Sequence, residues 1–383
     1  MNNLCIRLIL LSIFYFISIS SLLLVHFDDY AYNKALISRG ISVLASARSI
    51  LIVKLGAVGD CIHTLIPLRA LRLAFPQARI GWLVEGKSKE VVIGHEDLDL
   101  VHVWNRKQAS RDFFAGHPLR AWSEIRRVIN EMRAAEYEVA IDFQNLFKSG
   151  FFAWQSGAPT RIGFSRLREG NFLFTNRRVP AGNAVGHMVE RYLKLLERLG
   201  ISDDNPPPAK PIFIPEEKKT VVDEYWHKHV GTKKIVALNP AASHSFKLWS
   251  PERYAAVADR LAHDHGAQSM IIWGPGEERL AHNILDQMRT PGLLAPPTTI
   301  KELAYLLSRC AMYVGNDTGP MHLAAAMGIA VVGLFGPTEE RRVGPWTARA
   351  RAVTPPEPFS KKRRMDAITV EQVVQAAGEL LEG

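Results

Sequence analysis

Three cysteines in 383 residues exclude a good deal. Cys5, Cys61 and Cys310 lie far apart and form no CxxC, so neither a disulfide framework nor a zinc site is expected. Each reads as a small buried apolar residue in a reducing compartment. The chain has no HExxH, no DxD-like pair in a suitable loop and no His/Cys cluster with ligand spacing. No metal is therefore indicated, and no cofactor. There is no GxGxxG, which disfavours a nicotinamide-dependent oxidoreductase. The acid such a site needs about 20 positions on would have to be Glu85. No zinc-finger spacing and no basic leucine heptads occur, so nucleic acid is not an expected partner. Internal repeats and low-complexity tracts are absent.

Long apolar runs are scarce too, with one exception. Leu8–Val25 (LILLSIFYFISISSLLLV) is uncharged, with Arg7 before it and Asp28 and Asp29 after it. About 18 residues is just enough to span a bilayer. The run reads as an apolar helix serving as a membrane anchor, as a signal peptide, or as an upstream start codon read into the protein. A signal peptide fits least, because no clear small-residue cleavage site follows. Arg7 on one side faces Lys34, Arg39 and Arg48 on the other, so charge does not decide the orientation.

What is present is α/β alternation. Ser49–Lys54 (SILIVK) is a β-branched run of the kind buried in parallel sheets, followed by a turn and a helix that Pro76 stops. Arg79–Val84, Leu100–Trp104 and Val139–Phe143 read as strands. Leu119–Ala135 and His187–Leu199 read as helices, the second ended by Gly200. Five prolines between Asn205 and Pro215 break the pattern, which then restarts with Lys234–Leu238. Strands follow at Ser269–Trp273, Met312–Gly315 and Ala330–Phe335. Helices follow at Pro251–His265, Glu277–Met288, Ile300–Ser308 and Met321–Met327. Thr369 to Gln372 has the shape of a capping box opening the last helix. The expected organisation is an apolar segment and linker over 1–41, a Rossmann-like domain over 42–205 and a hinge over 206–215. A second Rossmann-like domain spans 216–354, and a tail with a helix spans 355–383.

Four strand-end motifs could support chemistry. In Lys54-Leu55-Gly56-Ala57-Val58-Gly59-Asp60, Asp60 reads equally as a helix N-cap and as a cleft-facing carboxylate able to take a proton from a hydroxyl. In Asn316-Asp317-Thr318-Gly319-Pro320-Met321-His322, N–H groups at a helix start with Gly319 make an anion cradle, and Thr318 adds a hydroxyl. Asp317 would repel phosphate and fits sugar hydroxyls better; the rival reading is an Asx turn and cap. The loop Asn239–Trp249 offers Ser243, His244, Ser245 and Lys247 to phosphate oxygens, or is a polar surface loop. In Trp273-Gly274-Pro275-Gly276-Glu277-Glu278, Glu277 either meets ribose hydroxyls or steadies the next helix.

The net charge is +9, and Val101–Pro180 holds thirteen Lys and Arg against seven Asp and Glu. Arg106, Lys107, Arg111, Arg126, Arg127, Lys148, Arg161, Arg166 and Arg168 are candidates to face anionic lipid headgroups or an acceptor's phosphates. For any single one of them a solvated basic surface is the alternative.

Three stretches taken together resemble the lipopolysaccharide heptosyltransferases, glycosyltransferase family 9. They are ILIVKLGAVGDCIHTLIPLRALRLAFP, HSFKLWSPERYAAVADRL and YVGNDTGPMHLAAAMGIAVVGLFGPT. The likeness runs from Ser49 to about Thr354. It implies a GT-B fold, two Rossmann-like domains facing across a cleft, and inverting, metal-independent transfer of heptose from ADP-heptose to a lipopolysaccharide core acceptor. It implies Asp60 as the base and Lys247 on the leaving diphosphate. Ser243, Glu277, Asp317, Thr318, Gly319 and His322 would bind the donor, and Gly59, Lys148 and Arg161 the acceptor. The implied partners are a nucleotide-sugar, an anionic lipid-linked oligosaccharide and the cytoplasmic face of the inner membrane. A family member using another nucleotide-activated sugar, or a non-catalytic nucleotide-sugar binder, is the alternative. The N-terminal apolar segment is not part of the family's usual domain.

Overall fold

The computed structural model describes residues 47–165, 169–180, 186–201 and 212–382. The apolar run Leu8–Val25, Cys5, Arg166, Arg168 and most of the proline-rich hinge lie outside them. Among the described residues no helix is long and apolar enough to cross a membrane.

The described residues fall into two compact units. The first comprises 47–165, 169–180 and 189–201; the second comprises 186–188 and 212–382. Each is built on a six-stranded parallel sheet. In the first unit the strands are β1 (Ser49–Val53), β2 (Arg79–Glu85), β3 (Leu100–Trp104), β4 (Val139–Asp142), β5 (Thr160–Phe164) and β6 (Arg177–Val179). They are ordered β3-β2-β1-β4-β5-β6. This is the Rossmann order, with its reversal point between β1 and β4. In the second unit β7 (Ile235–Asn239), β8 (Gln268–Ile271), β9 (Leu293–Leu294), β10 (Met312–Asn316), β11 (Ala330–Leu334) and β12 (Ala350–Val353) repeat it, with the reversal between β7 and β10.

The strands form where the sequence is apolar without alternation. All five residues of β1, β7, β10 and β11 are buried, because helices cover both faces of a parallel sheet. In the first unit α1 (Val58–Ala74), α2 (Arg106–Phe114), α3 (Pro118–Ala134), α4 (Phe147–Gln155) and α5 (Met188–Glu197) supply these layers. α3 buries Ala121, Ile125, Val128, Ile129 and Met132, a helical-period stripe, against Leu51, Val53 and Leu83. α1 runs through Pro67 and ends at Ala74, just short of Pro76. Gly200, at φ 86°, follows α5 as a left-handed C-terminal residue.

In the second unit α6 (Glu216–His229), α7 (Pro251–His265), α8 (Glu278–Gln287), α9 (Ile300–Ser308), α10 (Gly319–Ala326), α11 (Glu340–Val343) and α12 (Val370–Glu382) surround the sheet. The Thr369 capping box closes in both directions. Thr369 N–H donates to Gln372 at 2.9 Å, and Gln372 N–H donates to the Thr369 hydroxyl at 3.2 Å. The stretch expected to stand apart as a tail after 354 is part of the second unit's core. Met365, Ile368, Val373, Ala376 and Ala377 pack with β10, β11 and α7. An apolar face on a terminal helix is buried wherever a sheet face is open to it.

Strand register sets the functional edge. Val53 pairs with Asp142, and Gly315 pairs with Asn239. The carboxyl ends of β1 and β4, and of β7 and β10, are therefore level at the two reversal points, where open α/β sheets bind ligands. Gly315 is required there: a Cβ would lie 2.8 Å from the Asn239 carbonyl oxygen and 2.6 Å from the Tyr313 hydroxyl.

Candidate functional site

In the first unit the chain leaves β1 at Lys54 and re-enters helix at Val58. Ala57, not Asp60, occupies the N-cap, so the cap reading of Asp60 is set aside. Asp60 lies in the first turn of α1, its side chain 40% exposed. Lys54 is 2% exposed, and its ammonium lies 3.5 Å from the Asp60 carboxylate. It also donates to the Tyr192 hydroxyl at 2.8 Å and to the Phe143 carbonyl at 3.5 Å. Burial alone would push the lysine down. Asp60 and Tyr192 outweigh that and hold it above its ordinary range, so it stays charged. Lys54 was legible only as part of the motif; a charge at the end of a wholly buried strand was the signal that it matters.

The loop after β4 is organised by Asp142, which is fully buried. Its carboxylate accepts from Gln144 N–H, Asn145 N–H, the Ser149 hydroxyl and the Asn171 amide. Burial raises its pKa despite these bonds. The network fixes the start of α4 and therefore Lys148.

Lys148 lies in a cluster of cations around the buried Glu85. Its ammonium is 2.8 Å from the Glu85 carboxylate; Arg106 is 3.1 Å and Lys87 3.9 Å away. Burial opposes ionisation of Glu85, but Lys148 and Arg106 overcome it and hold the carboxyl below its usual range. Three cations on one carboxylate leave positive charge over, near the turn that bears Asp60: a Cβ on Gly56 would lie 3.2 Å from Lys87 Cε. Glu85 is thereby committed to holding cations, which removes it as the ribose-binding acid of a dinucleotide site. A group whose folded pKa is depressed stabilises above its unfolded pKa, and that contribution fades as pH falls through the folded value. Glu85→Gln is therefore expected to lower stability at pH 7 by about 1–3 kcal/mol, less than for a fully buried pair because Lys148 and Arg106 are partly exposed. Urea unfolding of the two proteins at a series of pH values would show the gap closing below the ordinary carboxylate range, not above it.

The other two acceptor candidates are held within the framework of the first unit. Gly59 is buried within α1. Arg161 gives its guanidinium to the carbonyls of Phe174 at 2.7 Å and Ala158 at 2.8 Å, which ties β5 to the following turn. Gly59 stands in the Asp60 turn itself, where it has only its backbone to offer a ligand, and Lys148 lies in the cation cluster near that turn. The thiols of Cys61 and Cys310 are buried and pushed by burial up to about 12, which suits inert packing residues.

In the second unit the edge between β7 and β10 gathers residues from two motifs. Asn239 ends β7 and donates to the Thr318 hydroxyl at 3.0 Å and the Tyr313 hydroxyl at 2.9 Å. Asn316 ends β10 and is held by the Tyr254 hydroxyl at 3.0 Å and the Pro240 carbonyl at 2.8 Å. These bonds lock the two loops together. Lys247 closes the short 3-10 turn Ser245–Lys247, and its ammonium meets the Asp317 carboxylate at 2.6 Å. Asp317 is 8% exposed, and its other oxygen is 3.9 Å from His322 Nε2. The repulsion expected between Asp317 and an anionic ligand is thus offset in place. Thr318 is the N-cap of α10, which begins at Gly319. Pro320 has no N–H and Met321 N–H donates to the Thr318 carbonyl, so Gly319 N–H is one backbone donor open to an anion. Several such donors were expected; the proline and the tight first turn reduce them.

Ser243 is exposed and bonded to His244 Nδ1 at 3.0 Å, in the Lys247 loop. Glu277 precedes α8, and its carboxylate accepts from Gly274 N–H at 2.7 Å. It braces the Gly274–Gly276 turn, makes no side-chain cap bond to the next helix, and remains half-exposed.

The chain and its fold have relatives among known proteins. Lipopolysaccharide core heptosyltransferase OpsX of Haemophilus influenzae is 24% identical over 309 residues, covering 78% of this chain and 82% of that protein. A solved glycosyl transferase family 9 protein from Veillonella parvula is 25% identical with a TM-score of 0.78, covering 88% of this chain and 97% of that one. The structure of Escherichia coli ADP-heptose lipopolysaccharide heptosyltransferase II shares the fold, with 21% identity and a TM-score of 0.71, covering 87% and 98%. The family profile of glycosyltransferase family 9 (heptosyltransferase) matches residues 125–371, from α3 through β12 to the start of α12. This chain belongs to glycosyltransferase family 9.

Proposed function

We propose that the protein transfers heptose from ADP-heptose to a lipopolysaccharide core acceptor, with inversion at the anomeric carbon and without a metal. The observation that supports this best is the Lys247–Asp317 pair beside Thr318 and Gly319 at the β7/β10 reversal point. A cation, a hydroxyl, a backbone donor and a helix N-terminus so grouped are what holding a diphosphate would require. The sugar and the acceptor class follow the relatives, a lipopolysaccharide core heptosyltransferase and an ADP-heptose lipopolysaccharide heptosyltransferase.

In this reading Asp60 accepts the proton of an acceptor hydroxyl. The oxygen forms a bond to the anomeric carbon as that carbon's bond to the diphosphate breaks, and ADP leaves. Lys247, Thr318 and Gly319 N–H stabilise the charge that builds on the diphosphate. His322 and Asp317 hold the sugar, Glu277 the nucleotide and Ser243 the phosphates. Lys148, with Lys87 and Arg106, draws an anionic acceptor to the Asp60 turn. In this reading the protein is an enzyme of GT-B type with two Rossmann-like domains, and it works at the cytoplasmic face of the inner membrane with residues 8–25 as anchor. The family profile begins beyond Asp60, so the base assignment rests on the motif and on the geometry around Lys54.

The test is donor discrimination. Calorimetry with ADP, UDP, GDP and NAD, each with and without a chelator, should show ADP bound most tightly and unaffected by chelation. Preference for UDP or GDP would keep the fold and change the sugar. Preference for NAD would overturn the reaction class, and ADP binding without transfer to any core acceptor would make the protein a binder.

Lys54 acts here as a positioning residue. Lys54→Met is expected to lower kcat about tenfold to a hundredfold, because Asp60 loses the group that orients it and small misplacements are costly. ADP affinity, which depends on the other unit, should not move. Loss of ADP binding in this variant would show a general folding defect instead.

A further inference from the structure

The turn between α2 and α3 leaves unusual groups in water. Phe114 is 72% and Leu119 74% exposed, the highest values for any large hydrophobic side chain among the described residues. Residues 115–117 between them are all exposed. α2 buries only Ala109, so most of its surface is open.

The charge around this tip is predominantly positive, and Asp112 is the acid that no described cation pairs. Lys107, Arg111 and Phe114 stand at i, i+4 and i+7, on one face of α2. Lys107 and Arg111 are exposed, and so is Arg120, beside Leu119. None of these three cations forms an ion pair with a described residue, whereas the nearby acids are engaged. Glu124 and Glu131 pair with Arg127, at 2.7 and 2.5 Å, and Asp112 accepts from Gln108 at 3.0 Å. An exposed apolar tip ringed by unpaired cations is the pattern of a segment that lies in the headgroup layer, with the aromatic ring below and the cations at the lipid phosphates.

We infer that the α2–α3 turn docks on an anionic lipid bilayer, with Phe114 and Leu119 entering the interface and Lys107, Arg111 and Arg120 binding lipid phosphates. The contact is separate from the N-terminal apolar segment. It brings the unit bearing Asp60 to the surface in which a lipid-borne acceptor resides. This deepens the proposed function, but its test uses neither donor nor acceptor, so either can fail without the other.

The test uses the full chain with Cys5→Ser and Phe114→Cys, labelled at position 114 with an environment-sensitive fluorophore. Cys61 and Cys310 are buried and stay unlabelled. Asp286→Cys, on an exposed position of α8, is the control. Vesicles of equal parts phosphatidylglycerol and phosphatidylcholine should shift the emission at 114 to the blue and raise it severalfold. High salt should reverse the change, phosphatidylcholine vesicles alone should give little, and position 286 should not respond. Adding Arg111→Glu and Arg120→Glu should raise the lipid concentration for half-response by at least about tenfold, with the circular dichroism unchanged. An unchanged signal at 114 while the protein sediments with the vesicles would overturn the inference, leaving the N-terminal segment as the sole contact. An equal response to phosphatidylcholine would overturn the charge-based recognition. Emission already shifted to the blue without vesicles would mean that another protein surface covers the turn.

Discussion

Asp60→Asn is expected to reduce kcat about a thousandfold while ADP affinity stays at its wild-type value. Asparagine matches aspartate in size but cannot take a proton at neutral pH, so the substitution removes the chemistry and spares the shape. The structure makes this a clean experiment. Asp60 is not the N-cap of α1 and is 40% exposed, so its replacement breaks no cap, although the buried Lys54 loses its counter-charge. Lys54 keeps its bonds to Tyr192 and the Phe143 carbonyl when the carboxylate is lost. Steady-state release of ADP with a core acceptor measures the effect. Turnover near the wild-type rate would rule Asp60 out as the base, whatever the fold or the family.

The second large effect is expected from Lys247→Ala, which should lower kcat/KM by about a hundredfold to a thousandfold and weaken ADP binding measurably. Two losses combine. The diphosphate loses its cation, and Asp317, only 8% exposed, is left as an uncompensated negative charge facing the same ligand. The stability cost should fall between the ~1 kcal/mol of an exposed pair and the ~3–5 kcal/mol of a fully buried one, since Lys247 itself is about one-fifth exposed. The coupling can be separated. If repulsion from Asp317 accounts for part of the loss, Asp317→Asn added to Lys247→Ala should recover part of the ADP affinity, and the double variant will lose less than the two single variants together. Strict additivity would show that Lys247 and Asp317 act on the donor independently.

Much of this arrangement is legible in the sequence, and the reasons are local. Buried parallel strands are unbroken apolar runs, so β1, β7, β10 and β11 stand out as SILIV, IVALN, MYVGN and AVVGL. The Thr369 cap and α9 (Ile300–Ser308) are readable because capping and helical periodicity act within a few residues. Elements without such signals were not legible. α2 and α4 are short and lack an apolar stripe, and β5 and β6 begin with exposed or charged residues near the sheet edge. α6 is dominated by charged residues and buries only Val222 and Trp226. Pro67 lies inside α1, and the helix continues across it to Ala74, as read from the sequence.

The candidate site divides along the same line. The sequence by itself determined which groups are available and where in each unit they stand: a carboxylate after the first strand, a lysine after the seventh, and a hydroxyl, glycine and histidine after the tenth. It did so because a strand that ends in a glycine-bearing turn before a helix places its loop at the carboxyl edge of a parallel sheet, whatever follows. Which groups touch was decided only in three dimensions. Lys54 meets Tyr192 across 138 positions, Lys148 meets Glu85 across 63, and Lys247 meets Asp317 across 70. The same packing turned Arg161 toward backbone carbonyls and buried Gly59. Pairings over such separations depend on strand order and register, which no local pattern encodes. The tertiary structure therefore settled which charges are neutralised, and which remain to face a ligand.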